Sequence, residues 1–403
     1  MITLRVLALL AAVALAVGPA HAQISDGVVK IGVLNDQSGA YADITGPGSV
    51  VAARMAVEDF GAAKKGMKVE IVFADHQNKP DVGSSIARQW YDTEKVDLII
   101  DVPTSSIALA ISQITRDKHK AFIVSGAAAS DLTGKACSPN TVHWTYDTWA
   151  LANGTGSAIV KTGGDTWFFL TADYAFGHAL ERDVEAVVLK SGGKVVGKVR
   201  HPFPTSDFSS FLLQAQASKA KIIGLANAGA DTINAIKQGA EFGIVRGGQQ
   251  FAGLLVFISD VHALSLDKAQ GLILTESFYW DLNDATRAWS RRFAERHRQA
   301  MPTMVQAGVY SAILHYLKAV EALKSDDGPR VIAKMKELPT DDPLFGKGRV
   351  RADGRKIHPM YLFEVKKPAE SKGPWDYYTM RATIPADSAF RPLDQGDCPL
   401  VKK

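Results

Sequence analysis

The residues best equipped for chemistry are small hydroxyls gathered at one turn. Pro103, Thr104, Ser105 and Ser106 follow an apolar run at 96–102 and precede Ile107, Ala110, Ile111 and Ile114, which are spaced like one helix face. A strand runs into a helix there, so the hydroxyls fall where a helix leaves its first backbone N–H groups unpaired. Ser and Thr at such a place ordinarily cap their own helix. The place also suits a carboxylate or phosphate, because free N–H donors and a partial positive charge converge at a helix start beyond the carboxyl end of a strand. One turn can do both.

Other chemistry is sparse. His76 stands beside Asp75 at a strand end, where a loop histidine is ordinarily a surface or hydrogen-bonding residue, and no nucleophile with a second partner accompanies it. Neither a phosphate-binding G-x-x-x-x-G-K-S/T, a strand-embedded G-x-G-x-x-G, a G-x-S-x-G elbow nor H-E-x-x-H occurs. The stretch 153–157, Asn-Gly-Thr-Gly-Ser, lacks a third glycine and reads as flexibility at a helix start. Enzymatic activity is therefore unsupported, and no cofactor is expected. Cys137 and Cys398 are the only cysteines, too few for a metal site without nearby histidines and best read as one disulfide in an oxidising compartment. Closing a loop of about 260 residues, such a bond is worth roughly 5 kcal/mol in the chain-entropy model.

The elements that must hold the turn in place alternate along the chain. Strands are expected at 28–34, 68–74, 96–102, 121–125, 166–170, 194–199, 221–226 and 251–258. Helices are expected at 49–62, 81–93, 106–118, 178–190, 208–218, 231–242, 284–299 and 306–324. This rhythm implies βαβ crossovers and parallel sheets covered by helices on both faces. It breaks for about 40 residues after Ser125 and resumes at Trp167, which fits two α/β lobes better than one long sheet. Beyond Asp342, glycines and charges punctuate short apolar alternations, as in an antiparallel pair returning the chain across the lobes.

Residues 1–22 carry Arg5, an apolar run, Gly18-Pro19 and a final Ala-His-Ala, the pattern of a signal peptide cleaved after Ala22. No later segment has the roughly 18 consecutive apolar residues of a membrane span. An exported, soluble, periplasmic protein is expected. The net charge of +4 falls to +3 without Arg5, and basic and acidic residues are interspersed, without the stripe that nucleic acid requires.

The order of local motifs resembles the type I periplasmic solute-binding proteins of ABC transporters, in the branched-chain amino acid (Leu/Ile/Val-binding) group. "VVKIGVLNDQSGAYADITGPG" resembles the family's first strand and S-G loop, with Ser38, Gly39 and Tyr41, and "AARMAVEDF" the helix after it. "FADHQNKPD", "VSGAAASDLT", "TADYAFGHAL" and "FPTSDFSSFLLQ" follow in the family's order. The resemblance implies two Rossmann-like lobes joined by a three-segment hinge and closing on a small solute. Lobe I would comprise 24–145 plus 277–350, and lobe II 146–276 plus 351–403. It also implies a membrane ABC permease as partner, and a monomer is expected.

By the same resemblance, Ser105 falls where amino acid binders have a serine that receives the ligand carboxylate. Ser106 and Ile107 N–H groups and the backbone at Gly126, Ala127 and Ala128 would complete that pocket. Where those binders place a threonine for the α-ammonium, this chain has Ala128, and where they place an acid after the eighth strand it has Val256 and Phe257. A buried ammonium without acceptor or counter-charge costs several kcal/mol. An amino-free ligand is therefore expected, with Asp260 as the residue that could restore an ammonium site. Tyr41, Trp144, Tyr146, Trp149, Tyr174, Phe176, Phe257, Phe278, Tyr279 and Trp280 cluster in segments around the implied cleft, with about half expected to touch ligand. Trp144 and Tyr146 double as hinge residues. A carboxylate anchor with ring-lined walls suggests a benzoate, hydroxybenzoate or cinnamate type of acid. A branched-chain amino acid or amide receptor, a ligand-sensing signalling module and an exported enzyme are the alternatives.

Overall fold

The structure, a computed structural model, describes residues 24–402. The expected signal peptide lies outside the described residues, and among these no helix is long and apolar enough to cross a membrane. Two parallel sheets form the frame. The first holds β1 (Val29–Asn35), β2 (Val69–Asp75), β3 (Leu98–Asp101), β4 (Ala121–Val124) and β5 (Thr141–His143) in the order β2-β1-β3-β4-β5. The second holds β6 (Thr166–Ala172), β7 (Lys194–His201), β8 (Ile222–Ala226) and β9 (Gln250–Gly253) in the order β7-β6-β8-β9. The central strands are mostly apolar because both faces are covered: every residue of β3, β4 and β8 is buried, Asp101 at the end of β3 included.

In each sheet the first strand lies between its two successors, β1 between β2 and β3, and β6 between β7 and β8. The chain reverses its winding direction there, and a crevice opens beyond the carboxyl ends of the strands. Helices α1 (Gly46–Phe60), α2 (Pro80–Asp92) and α3 (Ser105–Asp117) connect the first sheet, and α4 (Thr148–Leu151) and α5 (Ser157–Lys161) lead into the second. There α6 (Ala175–Lys190), α7 (Ser209–Ala217) and α8 (Ala230–Glu241) make the crossovers, followed by α9 (Ile258–Leu264) and α10 (Leu266–Ala269). The chain then returns through β10 (Ile273–Glu276) to α11 (Asp284–Arg296), α12 (Met304–Leu323) and α13 (Gly328–Glu337). The long α12 starts at a capping box in which Thr303 Oγ1 takes the Gln306 N–H and Gln306 takes the Thr303 N–H.

The antiparallel return exists in two pieces. One is β11 (Thr340–Asp342), β12 (Gly346–Val350) and β13 (Lys356–Ile357); the other joins β10 to β14 (Met360–Val365) and β15 (Tyr378–Ile384). Chain passes between the two sheet systems at 143–148, 276–284 and 357–360, giving two Rossmann-like lobes on a three-segment hinge. Cys137 and Cys398 form a disulfide with Cα atoms 5.6 Å apart. The tail it holds reaches both lobes, since Arg391 Nη2 donates to Ser130 Oγ at 3.0 Å and to Asp183 Oδ1 at 3.4 Å.

Three local expectations are corrected or narrowed. The strand expected at 251–258 ends at Gly253, because the Asp260 carboxylate accepts the Phe257 N–H at 3.0 Å and turns the chain into α9. Of residues 153–157 only Ser157 starts a helix, α5; 153–156 lie in the wide turn Ala152–Gly156 that joins α4 to it, where a Cβ on Gly154 would lie 2.2 Å from Thr275 Oγ1. Close approach to β10 selects that glycine. Of the two places expected for His76, on the surface or in a hydrogen bond, it takes the second: it is buried, with Nδ1 accepting the Asn78 N–H at 3.0 Å, and burial lowers its pKa to about 4.

Candidate functional site

A small cavity of about 20 Å³ lies between the lobes. Each wall residue sits just past the carboxyl end of a parallel strand: Tyr41 and Ile44 after β1, Pro103 after β3, Gly126 and Ala128 after β4, Tyr146 after β5. From the other lobe come Tyr174 and Phe176 after β6, Ala228 after β8, and Leu255 and Phe257 after β9. The winding of the sheets thus delivers eleven wall residues from seven separate loops.

Asp36, buried after β1, organises the first loop by accepting the N–H groups of Gly39 at 2.7 Å and Tyr41 at 2.8 Å and the Asn78 amide at 2.5 Å. Asn78 in turn accepts from Thr104 Oγ1 at 2.5 Å. That hydroxyl is therefore spent on a neighbouring loop, and the Thr104 side chain does not cap α3. The helix begins one residue earlier than expected, so Ser105 is its first residue, and its hydroxyl accepts the N–H groups of Ala128 at 3.3 Å and Ala129 at 3.2 Å. Ahead of it, Asp101 and Val102 both hold positive φ, 87° and 50°. For a β-branched valine this is strained backbone, held by the packing around it. Gly126 is required by close approach, since a Cβ there would lie 2.8 Å from Pro103 Cα.

The lobes are closed over the cavity. Tyr41 Oη and Tyr174 Oη are 2.5 Å apart, and Phe203 stacks on both rings with centroids at 5.0 and 4.8 Å. Ala40 O accepts the Ala230 N–H at 3.2 Å. Tyr146 donates its hydroxyl to Gly126 O at 2.5 Å and meets Phe257 edge-on at 6.1 Å.

Of the residues expected at the site, Tyr41, Gly126, Ala128, Tyr146, Phe176 and Phe257 come together on the wall. Ser105 stands behind Ala128, Ser106 is the next residue of α3, and Ala127 O accepts from His143 Nε2 at 2.8 Å. Three lie elsewhere. Trp144 is buried in the hinge with Nε1 donating to Ser311 Oγ at 2.9 Å, and Tyr279 packs on Phe363 and Tyr378 while donating to Trp375 O at 3.1 Å. Asp260 is committed to the start of α9. Ile44, Pro103, Ala228 and Leu255 were not anticipated, and their apolar side chains give no signal apart from their place after a strand. Tyr174 was expected only as one of the cleft-side aromatics.

A family model described as "Periplasmic binding protein" matches residues 28–373. The chain belongs to the periplasmic binding protein family. Among solved structures, a periplasmic binding protein from Burkholderia mallei is 53% identical, with a TM-score of 0.91 over 94% of this chain and 100% of the other. A branched chain amino acid ABC transporter periplasmic ligand-binding protein from Burkholderia xenovorans is 41% identical, with a TM-score of 0.81 over 92% and 99%. An ABC transporter solute binding protein from R. palustris, solved with benzoate, shares the fold at 22% identity, with a TM-score of 0.79 over 89% and 97%. This is thus a periplasmic binding protein of the branched-chain amino acid type associated with ABC transport, a family of solute binders and not of enzymes.

In this periplasmic binding protein no lysine or arginine among the described residues lines the cavity. Burial raises the pKa values of Tyr41, Tyr146 and Tyr174, so all three phenols keep their protons. Acids stand one layer back. Burial pushes Asp101 up to about 6 against hydrogen bonds from Asn35 at 2.9 Å and Ser125 at 3.1 Å. It pushes Asp231 and Asp260 up to about 7 and raises Glu276, whose carboxylate accepts from Tyr378 Oη at 3.0 Å. Among the described residues no cluster of three or more His, Cys, Asp or Glu could hold a metal.

Proposed function

We propose that this protein is the receptor of an ABC importer for a small amino-free carboxylate, an aromatic acid of the benzoate, hydroxybenzoate or cinnamate type. It acts as an exported monomer, cleaved after Ala22, that closes on its ligand and presents it to a membrane permease. The observation that carries this reading is the wall itself. Five aromatic rings, from Tyr41, Tyr146, Tyr174, Phe176 and Phe257, line the cavity, which at about 20 Å³ must widen as the lobes part to admit a ligand, and such ring faces suit a flat one. The Tyr41–Tyr174 hydroxyl pair, which has one proton left over, and the first N–H groups of α3 are the donors for a carboxylate, with Ser105 shaping the Ala128 loop beside them. The benzoate held by the R. palustris protein supports the same class. Ligand touching both lobes stabilises the closed form, and the permease reads that form.

A specific observation favours a second reading, an amino acid or amide receptor. Asp231 sits at the start of α8, buried, with one carboxylate oxygen on the Thr205 N–H at 3.1 Å and the other without a hydrogen bond, 3.7 Å from His201 Nδ1. Such a group next to the Tyr41–Tyr174 pair would welcome a cation. A thermal-shift and calorimetric screen of residues 23–403 against benzoate, hydroxybenzoates, cinnamates, aliphatic acids and common amino acids separates the two. Ligand at 100 times its Kd adds roughly 2.7 kcal/mol of stability. Stabilisation by amino acids alone overturns the aromatic-acid reading.

A further inference from the structure

Tyr146 does more than form part of the wall. Its hydroxyl donates to Gly126 O at 2.5 Å, and both residues face the cavity. The neighbouring loop carbonyls are also taken: Ala127 O accepts from His143 Nε2 at 2.8 Å, and Ala128 O accepts the Thr148 N–H at 2.8 Å. The phenol is held firmly in place. The Tyr146 backbone carbonyl accepts from Arg355 Nη1 at 2.9 Å, and Phe257 braces the ring edge-on. A primary ammonium brought into an apolar cavity needs strong acceptors for its three hydrogens. Here the carbonyl that could serve it already accepts a short hydrogen bond, which leaves it one lone pair, and the phenol oxygen beside it is a poorer acceptor than a peptide carbonyl.

We infer that Tyr146 is a specificity-determining residue that excludes α-amino ligands by occupying the Gly126 carbonyl with its own hydroxyl. This rests on the proposed reading of the cavity as an amino-free carboxylate site, and it adds a cause within the chain for that preference. Selectivity by occupation differs from selectivity by absence. A site that merely lacks an ammonium acceptor gains nothing when one hydroxyl is removed, whereas Tyr146→Phe uncovers a carbonyl and keeps the ring.

The test uses two ligand pairs differing only in the amino group, phenylacetate with phenylglycine and 4-methylpentanoate with leucine, titrated calorimetrically into the wild type and Tyr146→Phe. The wild type is expected to bind the acid of at least one pair and discriminate against its amino partner. In Tyr146→Phe that discrimination should shrink roughly 10- to 100-fold, the range expected for one charge-assisted hydrogen bond. Tyr146→Leu removes the same hydroxyl and answers the question should the phenylalanine variant not fold. Unchanged discrimination in a folded variant overturns the role of Tyr146 and leaves the ligand class standing. A wild type that prefers the amino partner, or binds neither pair, overturns the underlying reading and this inference with it.

Discussion

Arg355 is the sharpest place to test how the hinge is held. Its side chain is fully buried, with Nη1 on Tyr146 O at 2.9 Å, Nε on Lys356 O at 3.0 Å, Asp147 Oδ2 at 3.6 Å and the Phe390 ring centred 4.4 Å from the guanidinium carbon. Burial lowers its pKa to about 10, which leaves it charged, while burial raises the pKa of Asp147 and Arg355 pulls it back down. Arg355→Met strips the cation from a buried carboxylate that also caps α4 through the Ala150 N–H at 2.8 Å. Breaking one side of such a pair costs about 3–5 kcal/mol. With an unfolding entropy of roughly 2.1 cal/mol/K per residue, the mature chain should melt about 4–6 °C lower. Asp147→Asn keeps an acceptor for the cap and removes the charge, so Arg355→Met with Asp147→Asn should recover much of the loss. Urea unfolding of the four proteins gives the coupling energy, expected at 1 kcal/mol or more. A single-variant loss below about 1 kcal/mol, or strictly additive losses, would refute the claim that a buried ion pair fastens these two crossings.

Two further perturbations read different parts of the molecule. Asp260 has a folded pKa of about 7, above its unfolded value, so the native state holds the extra proton between about pH 4 and 7, and the group's contribution to stability falls as pH rises through that window. Asp260→Asn should flatten the decline in a series of melts from pH 4 to 8; an unaltered profile would mean other groups carry it. Gly229 has φ of 58°, and a Cβ there would lie 2.5 Å from Ala40 O across the lobe interface. Gly229→Ala should therefore weaken binding of the best screened ligand about 10-fold or more by obstructing closure, and equal affinities by calorimetry would show that the bound form lacks this contact.

How far the sequence carried the reading depends on the kind of signal. Long buried strands such as β1 and β6 and helices such as α3 and α12 were legible within a few residues, because their periodicity is set by burial on known faces. The three residues of β5 were not, since so short a strand has no period, and α9 was hidden because "LLVFISDV" is apolar enough to continue a strand. Only the Asp260 side chain reaching back to Phe257 decides where it turns. At the site, aromatic and hydroxyl residues announce themselves by type, while Ile44, Ala228 and Leu255 do not. Hydrogen-bond partners were the least legible part. Nothing in the spacing of Thr104 and Asn78, or of Tyr146 and Gly126, distinguishes a cap from a contact between loops.

The Cys137–Cys398 bond also divides the molecule mechanically. It spans 261 positions, so tension applied on either side passes through the sulfurs and bypasses everything between them. Strands β1 to β4 precede Cys137 and would bear the load, whereas β6 to β9 lie wholly within the bypassed loop. Under oxidising conditions the first sheet is the one that peels under force while the second stays slack. A reducing agent lets the second sheet share the load, adding up to roughly 3.3–3.6 Å of extension per released residue.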